Sequence, residues 1–216
     1  MNPKVIIFDF DGTIADSLDA LVNISNRLAV QFGYKQTSIN ELAQIQNLTS
    51  REIIKQSGIS IFKVPFLVKK VKAELSFEIK TLSLFPGMKE ALIELHQLGN
   101  KLVIISSNSK PNIIAFLEHN NLLDKFYYIY SGSTIFGKDK VINRFIRQEN
   151  IDVKDVIYVG DETRDIESAK KSKVIAIAVS WGFNTKEVLI KQNPDYLIEQ
   201  PSDLIDIVKK QELSIK

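Results

Sequence analysis

The 216-residue chain predicts an α/β fold: a doubly wound, parallel Rossmann-like sheet with an inserted helical cap. Three observations lead there. Short, β-branched apolar runs recur along the chain, and most are followed by a stretch whose apolar residues return at helical spacing. The clearest of these runs stop at polar clusters, as buried parallel strands do where a sheet carries its ligands. Between the first run and the second lies a long segment with helical pieces and no convincing strand.

The elements follow in order. Val5–Phe8 is the first strand, and Asp16 or Ser17 is placed to cap a helix running to Phe32, with Gly33 ending it. Ile39–Gln46, Ser50–Gln56 and Pro65–Ile79 read as further helical pieces, with Gly58 and Pro65 as breaks. Phe85-Pro-Gly87 then punctuates the chain. Helix Met88–Leu98 leads into strand Lys101–Ser106, helix Pro111–His119 into strand Phe126–Tyr130, and helix Asp139–Gln148 into strand Val156–Val159. Helix Glu162–Lys170 leads into strand Val174–Val179, and a weak strand at Tyr196–Ile198 precedes a helix from Ser202. Right-handed crossovers then set helices on both faces. The expected division is a core of residues 1–15 and 85–216 and a helical cap of residues 16–84.

Composition narrows the chemistry. With 28 basic and 26 acidic residues the net charge is +2, so no global field favours nucleic acid. There is no cysteine, and the histidines are two, His96 and His119, which excludes a thiol nucleophile, a disulfide framework and a His- or Cys-based zinc site. Catalysis is left to carboxylates, lysine, hydroxyls and backbone. The apolar run at the N-terminus is short and broken by aspartates, and no stretch is long enough to span a bilayer, so a cytoplasmic protein without membrane attachment is expected.

Three strand ends carry the candidate site. The first gives Asp9-Phe-Asp-Gly-Thr13, the second Ser106-Ser-Asn-Ser109, and the third Gly160-Asp-Glu-Thr-Arg-Asp165. In a parallel sheet these ends converge on one crevice. Asp and Gly are ordinary turn residues, which accounts for one aspartate before Gly12 and leaves Asp9 unexplained.

Asp9-Phe-Asp-Gly-Thr13 after an apolar strand, with Gly160-Asp161 through Asp165 far downstream, resembles the DxDGT and GDxxxD motifs of the haloacid dehalogenase superfamily of phosphohydrolases. Between them Ser106 matches the family's strand-ending Ser or Thr, and Gly137-Lys138 its lysine, with Lys140 as the alternative lysine. Ala178–Phe183 and Pro194–Leu197 are similar to the tail of phosphoglycolate-phosphatase-like members. The resemblance implies that Asp9 attacks phosphorus and becomes an aspartyl-phosphate. It implies that Asp11 is the general acid and base, and that Ser106, Ser107 and Lys138 bind the phosphoryl group.

Four aspartates around a phosphate dianion repel, since like charges 4 Å apart cost about 4 kcal/mol per pair at an effective dielectric near 20. A cation is required. Oxygen-only ligands suit Mg²⁺, with Asp9, Asp161 and the backbone carbonyl of Asp11 as contacts and Asp165 holding a coordinating water. The implied substrate is a small phosphorylated metabolite and the implied assembly a monomer or dimer. A phosphomutase of the same superfamily, or a non-catalytic ligand-binding protein on the same fold, is the alternative. Arg51, after the polar break Asn47–Ser50, is a possible cap contact to the substrate, and an exposed arginine is its bland reading. The lysines 63, 69, 70 and 72 read as a solvated helix face, Arg164 as structural or solvent-facing, and Trp181 as loop packing.

Overall fold

The computed structural model describes residues 4–132 and 137–213. Its centre is a sheet of six parallel strands: β1 (Val5–Phe8), β4 (Lys101–Ile105), β5 (Phe126–Tyr130), β6 (Val156–Gly160), β7 (Ile175–Val179) and β8 (Tyr196–Ile198). Their spatial order is β5-β4-β1-β6-β7-β8, so β1 lies between the two strands whose ends carry the other polar clusters. The register sets Phe8 beside Ile104 and Val159, bringing Asp9, Ile105 and Gly160 to the same edge.

The sheet is apolar on both faces because helices cover both. Ile6 and Phe8 face one side, with Leu102, Ile104, Ile157 and Val159. On that side pack α5 (Met88–Gln97), α6 (Lys110–His119) and α10 (Asp203–Leu213). Val5 and Ile7 face the other, against Ile142, Phe145 and Ile146 of α7 (Lys138–Gln148), Ile166 and Ala169 of α8 (Thr163–Lys171) and Leu189 of α9 (Lys186–Ile190). This alternation is the period of two of an extended chain. Each fully buried Ile or Phe contributes about 1.5–3 kcal/mol.

Between β1 and α5 the chain makes a helical insertion of α1 (Leu18–Phe32), α2 (Ile39–Ile45), α3 (Ser50–Ser57) and α4 (Val64–Glu78). Its two connections are tied by a ribbon absent from the sequence reading. Strands β2 (Ala15–Asp16) and β3 (Ser83–Leu84) pair antiparallel, Ala15 with Leu84 and Asp16 with Ser83. That pairing corrects the expected helix cap. Asp16 is held extended in the ribbon, and Ser17, which precedes α1, makes no side-chain capping bond. Helix α9 was also not anticipated.

The insertion rests on the crevice edge at two places. Asn184, from the loop after β7, donates its amide to the carbonyls of Gln46 and Leu48 at 2.9 and 3.0 Å, and the Ser50 hydroxyl donates to Glu162 at 2.9 Å. On the other side Asn112 of α6 donates to the Lys72 carbonyl of α4 at 2.9 Å.

Candidate active site

Asp9 is the residue at which β1 stops. Its N–H still bonds the Val159 carbonyl at 2.9 Å, so the backbone is fixed by the sheet while the side chain enters the crevice. The chain then turns tightly: Ile14 and Ala15 both donate to the Phe10 carbonyl, and Gly12 adopts φ +76. A side chain at Gly12 would meet Asp161 Oδ2 at 2.1 Å, and one at Gly182 would meet the same oxygen at 2.5 Å. Asp161 is therefore pressed between two backbone turns that glycine alone fits.

Asp9, Asp161 and Asp165 are all buried and offer carboxylate oxygens within 4.8 Å of one another. Lys138, buried at the start of α7, sets its ammonium 2.6 Å from Asp9 Oδ2 and 2.7 Å from Asp165 Oδ1, whereas Lys140 is exposed. Tyr158 steadies Asp165 from below with a 3.3 Å hydrogen bond. Asp165 Oδ2 accepts from the Glu162 N–H at 3.1 Å, so the residue both joins the cluster and caps α8. Asp161 is oriented by Thr13, whose hydroxyl donates to Oδ1 at 2.7 Å, and by the Phe183 N–H on Oδ2 at 2.8 Å.

Burial dominates the electrostatics. It raises Asp9 from 3.8 to about 7 even though Lys138 pulls the other way, and it lifts Asp161 well above the ordinary range, reinforced by Glu162, Asp165 and Asp9. Burial also disfavours the charged Lys138, but Asp165 and Asp9 more than offset this and hold it protonated. Ionised together, the three carboxylates would carry more negative charge than one buried ammonium balances, which is why burial and mutual repulsion raise Asp9 and Asp161. Three hard oxygen donors, glycine-cleared space around Asp161 and this excess charge fit a divalent cation.

Asp11 stands apart from the three-carboxylate cluster. Partly buried, it takes the amide of Asn108 on both oxygens, at 3.1 and 3.0 Å. Burial raises its carboxyl while the Asn108 bonds oppose the rise. Asn108 is fixed in turn: its Oδ1 accepts from the Ser109 N–H at 2.7 Å and from Asn112 at 3.0 Å, which points its amide hydrogens at Asp11. Ser106 is fully buried at the end of β4, and its hydroxyl accepts from the Asn108 N–H at 3.0 Å, leaving its proton to donate. Ser107 is half-buried beside it.

The structure therefore gathers Asp9, Asp161, Asp165 and Lys138 into one buried group, with Asp11 and Ser106 linked through Asn108. Arg51 is exposed in the first turn of α3. Of the two readings of Arg164 the structure bears out the structural one: its side chain is 16% exposed and pairs with Glu162. Trp181 packs against Phe85 as expected and donates its indole N–H to the Thr13 carbonyl at 3.1 Å. Thr13, Asn108, Asn112 and Tyr158 had no assigned role. A signal existed for Asn108, which lies in the polar run that ends β4.

Fold and site together define a phosphatase of the haloacid dehalogenase type. Residues 6–179 match the family model of haloacid dehalogenase-like hydrolases, and the chain belongs to that family. A phosphoglycolate phosphatase of Synechococcus elongatus is 40% identical over 205 residues, covering 95% of this chain and 97% of its own. One of Vibrio cholerae is 24% identical, covering 95% and 96%. A crystal structure described as a "predicted phosphatase" from Clostridium acetobutylicum superposes with a TM-score of 0.82 at 19% identity, covering 96% and 99%, a likeness of fold.

Proposed function

We propose that the chain hydrolyses 2-phosphoglycolate to glycolate and phosphate, using Mg²⁺ and an aspartyl-phosphate on Asp9. One observation carries the reading: a buried carboxylate at the strand end touches a lysine, while a second carboxylate two residues on is held separately by Asn108. Two environments give two carboxylates two tasks. Similarity to the cyanobacterial relative over nearly the whole of both chains supports the choice of substrate.

In this reading Lys138 and the Ser106 hydroxyl hold the phosphoryl oxygens, and an Asp9 oxygen attacks phosphorus in line with the leaving alkoxide. Asp11 gives its proton to that alkoxide, and its burial favours the protonated form needed at the start. It then removes a proton from the water that attacks phosphorus, which frees Asp9 and phosphate. Asp9, Asp161 and the backbone carbonyl of Asp11 would hold Mg²⁺, with Asp165 holding a coordinating water, and the ion would neutralise charge on the phosphoryl oxygens.

Residues 16–84 act as a cap that excludes water, tied to a core of residues 1–15 and 85–216 by the β2–β3 ribbon. The residues assigned here come from one chain, so a monomer suffices and a dimer is compatible. Among the described residues no helix is long and apolar enough to cross a membrane, and a cytoplasmic location belongs to this reading.

Phosphate release across a panel of small phosphomonoesters, hexose phosphates and pyrophosphate tests it, with Asp9→Asn as the blank. The expected result is release from 2-phosphoglycolate, abolished by chelator and restored by Mg²⁺, with kcat/KM at least about tenfold above the other substrates. Isomerisation of a hexose 1-phosphate in place of hydrolysis would identify a mutase. Release from no substrate would return the chain to a binding role.

A further inference from the structure

Helix α4 carries a lysine that its neighbours do not resemble. Lys63, Lys69 and Lys70 are exposed, whereas Lys72 is half-buried. It lies four residues after Val68 and three before Leu75, on the stripe that runs on to Ile79, and Leu75 and Ile79 are buried in the main core. The Lys72 carbonyl accepts from Asn112, whose other amide hydrogen goes to Asn108 Oδ1, and Asn108 holds both oxygens of Asp11. A continuous chain of side-chain bonds therefore fixes this turn of α4 relative to Asp11.

The charge of Lys72 is correspondingly felt. Burial disfavours its protonated form, and the attraction of Asp11 works against that. Arg164 approaches the same group from the core, but it has Glu162 as its partner. Lys72 forms no salt bridge among the described residues. A half-buried ammonium without an ion-pair partner is unfavourable until an anion joins it.

We propose that Lys72 binds the carboxylate of the leaving group and so selects phosphate esters of short hydroxy acids. The inference rests on the phosphatase reading above. Because Asp11 protonates the leaving oxygen, that oxygen lies beside Asp11 during the reaction. In a phosphorylated 2-hydroxy acid the carboxylate is one carbon beyond that oxygen, and the α4 turn that carries Lys72 is held next to Asp11 by the Asn112–Asn108 relay. The ammonium donates to the carboxylate, a charge-assisted contact made only by substrates that carry one.

The test compares 2-phosphoglycolate with 2-hydroxyethyl phosphate, the same ester with an alcohol in place of the carboxylate. Wild-type protein is measured first. If it hydrolyses other phosphomonoesters but shows no preference for 2-phosphoglycolate, the functional reading itself fails and this inference falls with it. Given the preference, Lys72→Met, which keeps the aliphatic stem, lowers kcat/KM for 2-phosphoglycolate by about tenfold or more and changes 2-hydroxyethyl phosphate by less than about threefold. Lys72→Gln serves in its place if the methionine variant melts early. Equal losses on both substrates, or no loss on either, overturn the assignment. So does a larger selective loss in Arg51→Ala than in the Lys72 variant.

Discussion

Asn108→Ala probes the arrangement at its least obvious point. Asn108 donates to both Asp11 oxygens, at 3.1 and 3.0 Å, and accepts from Ser109 and Asn112. A hydrogen bond to a charged group is worth about 1.5–3 kcal/mol, so losing it with the orientation it gives lowers kcat by roughly 10- to 100-fold. The same bond opposes the rise of the Asp11 carboxyl, so its loss lets burial raise that carboxyl further. Hydrolysis of the aspartyl-phosphate needs Asp11 deprotonated, and the acid-side limb of the kcat profile therefore moves to higher pH. Truncation also leaves the Ser109 N–H and the Asn112 amide without an acceptor, which costs about 1–3 kcal/mol and lowers Tm by roughly 2–12 °C in a chain of this size. The assay is kcat from pH 4.5 to 9 at saturating Mg²⁺, with melting curves on the same samples. A folded variant with wild-type kcat, or with its acid limb unmoved or moved to lower pH, refutes the role of Asn108 in holding Asp11.

Two further outcomes concern the carboxylate cluster. Gly12→Ala sets a Cβ 2.1 Å from Asp161 Oδ2 at a φ of +76, so Asp161 must move, and the Mg²⁺ concentration for half-maximal activity should rise about tenfold or more; an unchanged Mg²⁺ titration would show that Asp161 does not hold the ion. In metal-stripped protein the folded state keeps a proton on Asp9 up to about pH 7 that the unfolded state releases near 3.8, so stability falls as pH rises through that window, by on the order of 4 kcal/mol for this group. Mg²⁺ should therefore raise Tm more at pH 7.5 than at pH 5 in calorimetry, and equal shifts at the two values would contradict the charge argument.

The sheet and the strand ends were legible because burial on both faces makes each strand a continuous apolar run, and the places where Val5–Phe8, Leu102–Ile105 and Val156–Val159 stop are abrupt. Short-range pattern cannot supply the rest. The β2–β3 ribbon has two residues in each strand, too few for alternation to register, and α9 spans five. The bond from Asn108 to Asp11 joins residues 97 apart, and that from Thr13 to Asp161 joins residues 148 apart, so each exists only once the sheet is assembled. Lys72 was hidden by composition: among several lysines it reads as solvated. Its spacing to Val68 and Leu75 was the available clue. Lys138 and Lys140 differ by two positions, and the sequence could not separate them until α7 turned one inward and the other to solvent.

The proposed chemistry stands or falls on a phosphoryl group carried by Asp9. Wild-type protein and Asp11→Asn, which hydrolyses the intermediate slowly, are mixed with Mg²⁺ and an aryl phosphate whose leaving group needs no proton. They are quenched in acid within milliseconds, reduced with borohydride and mapped by peptide mass spectrometry. The expected result is reduction of Asp9 to homoserine, greater in Asp11→Asn than in wild type, and none at Asp11, Asp161 or Asp165. Turnover of the aryl phosphate with Asp9 unmodified, or with the label on another residue, would contradict it.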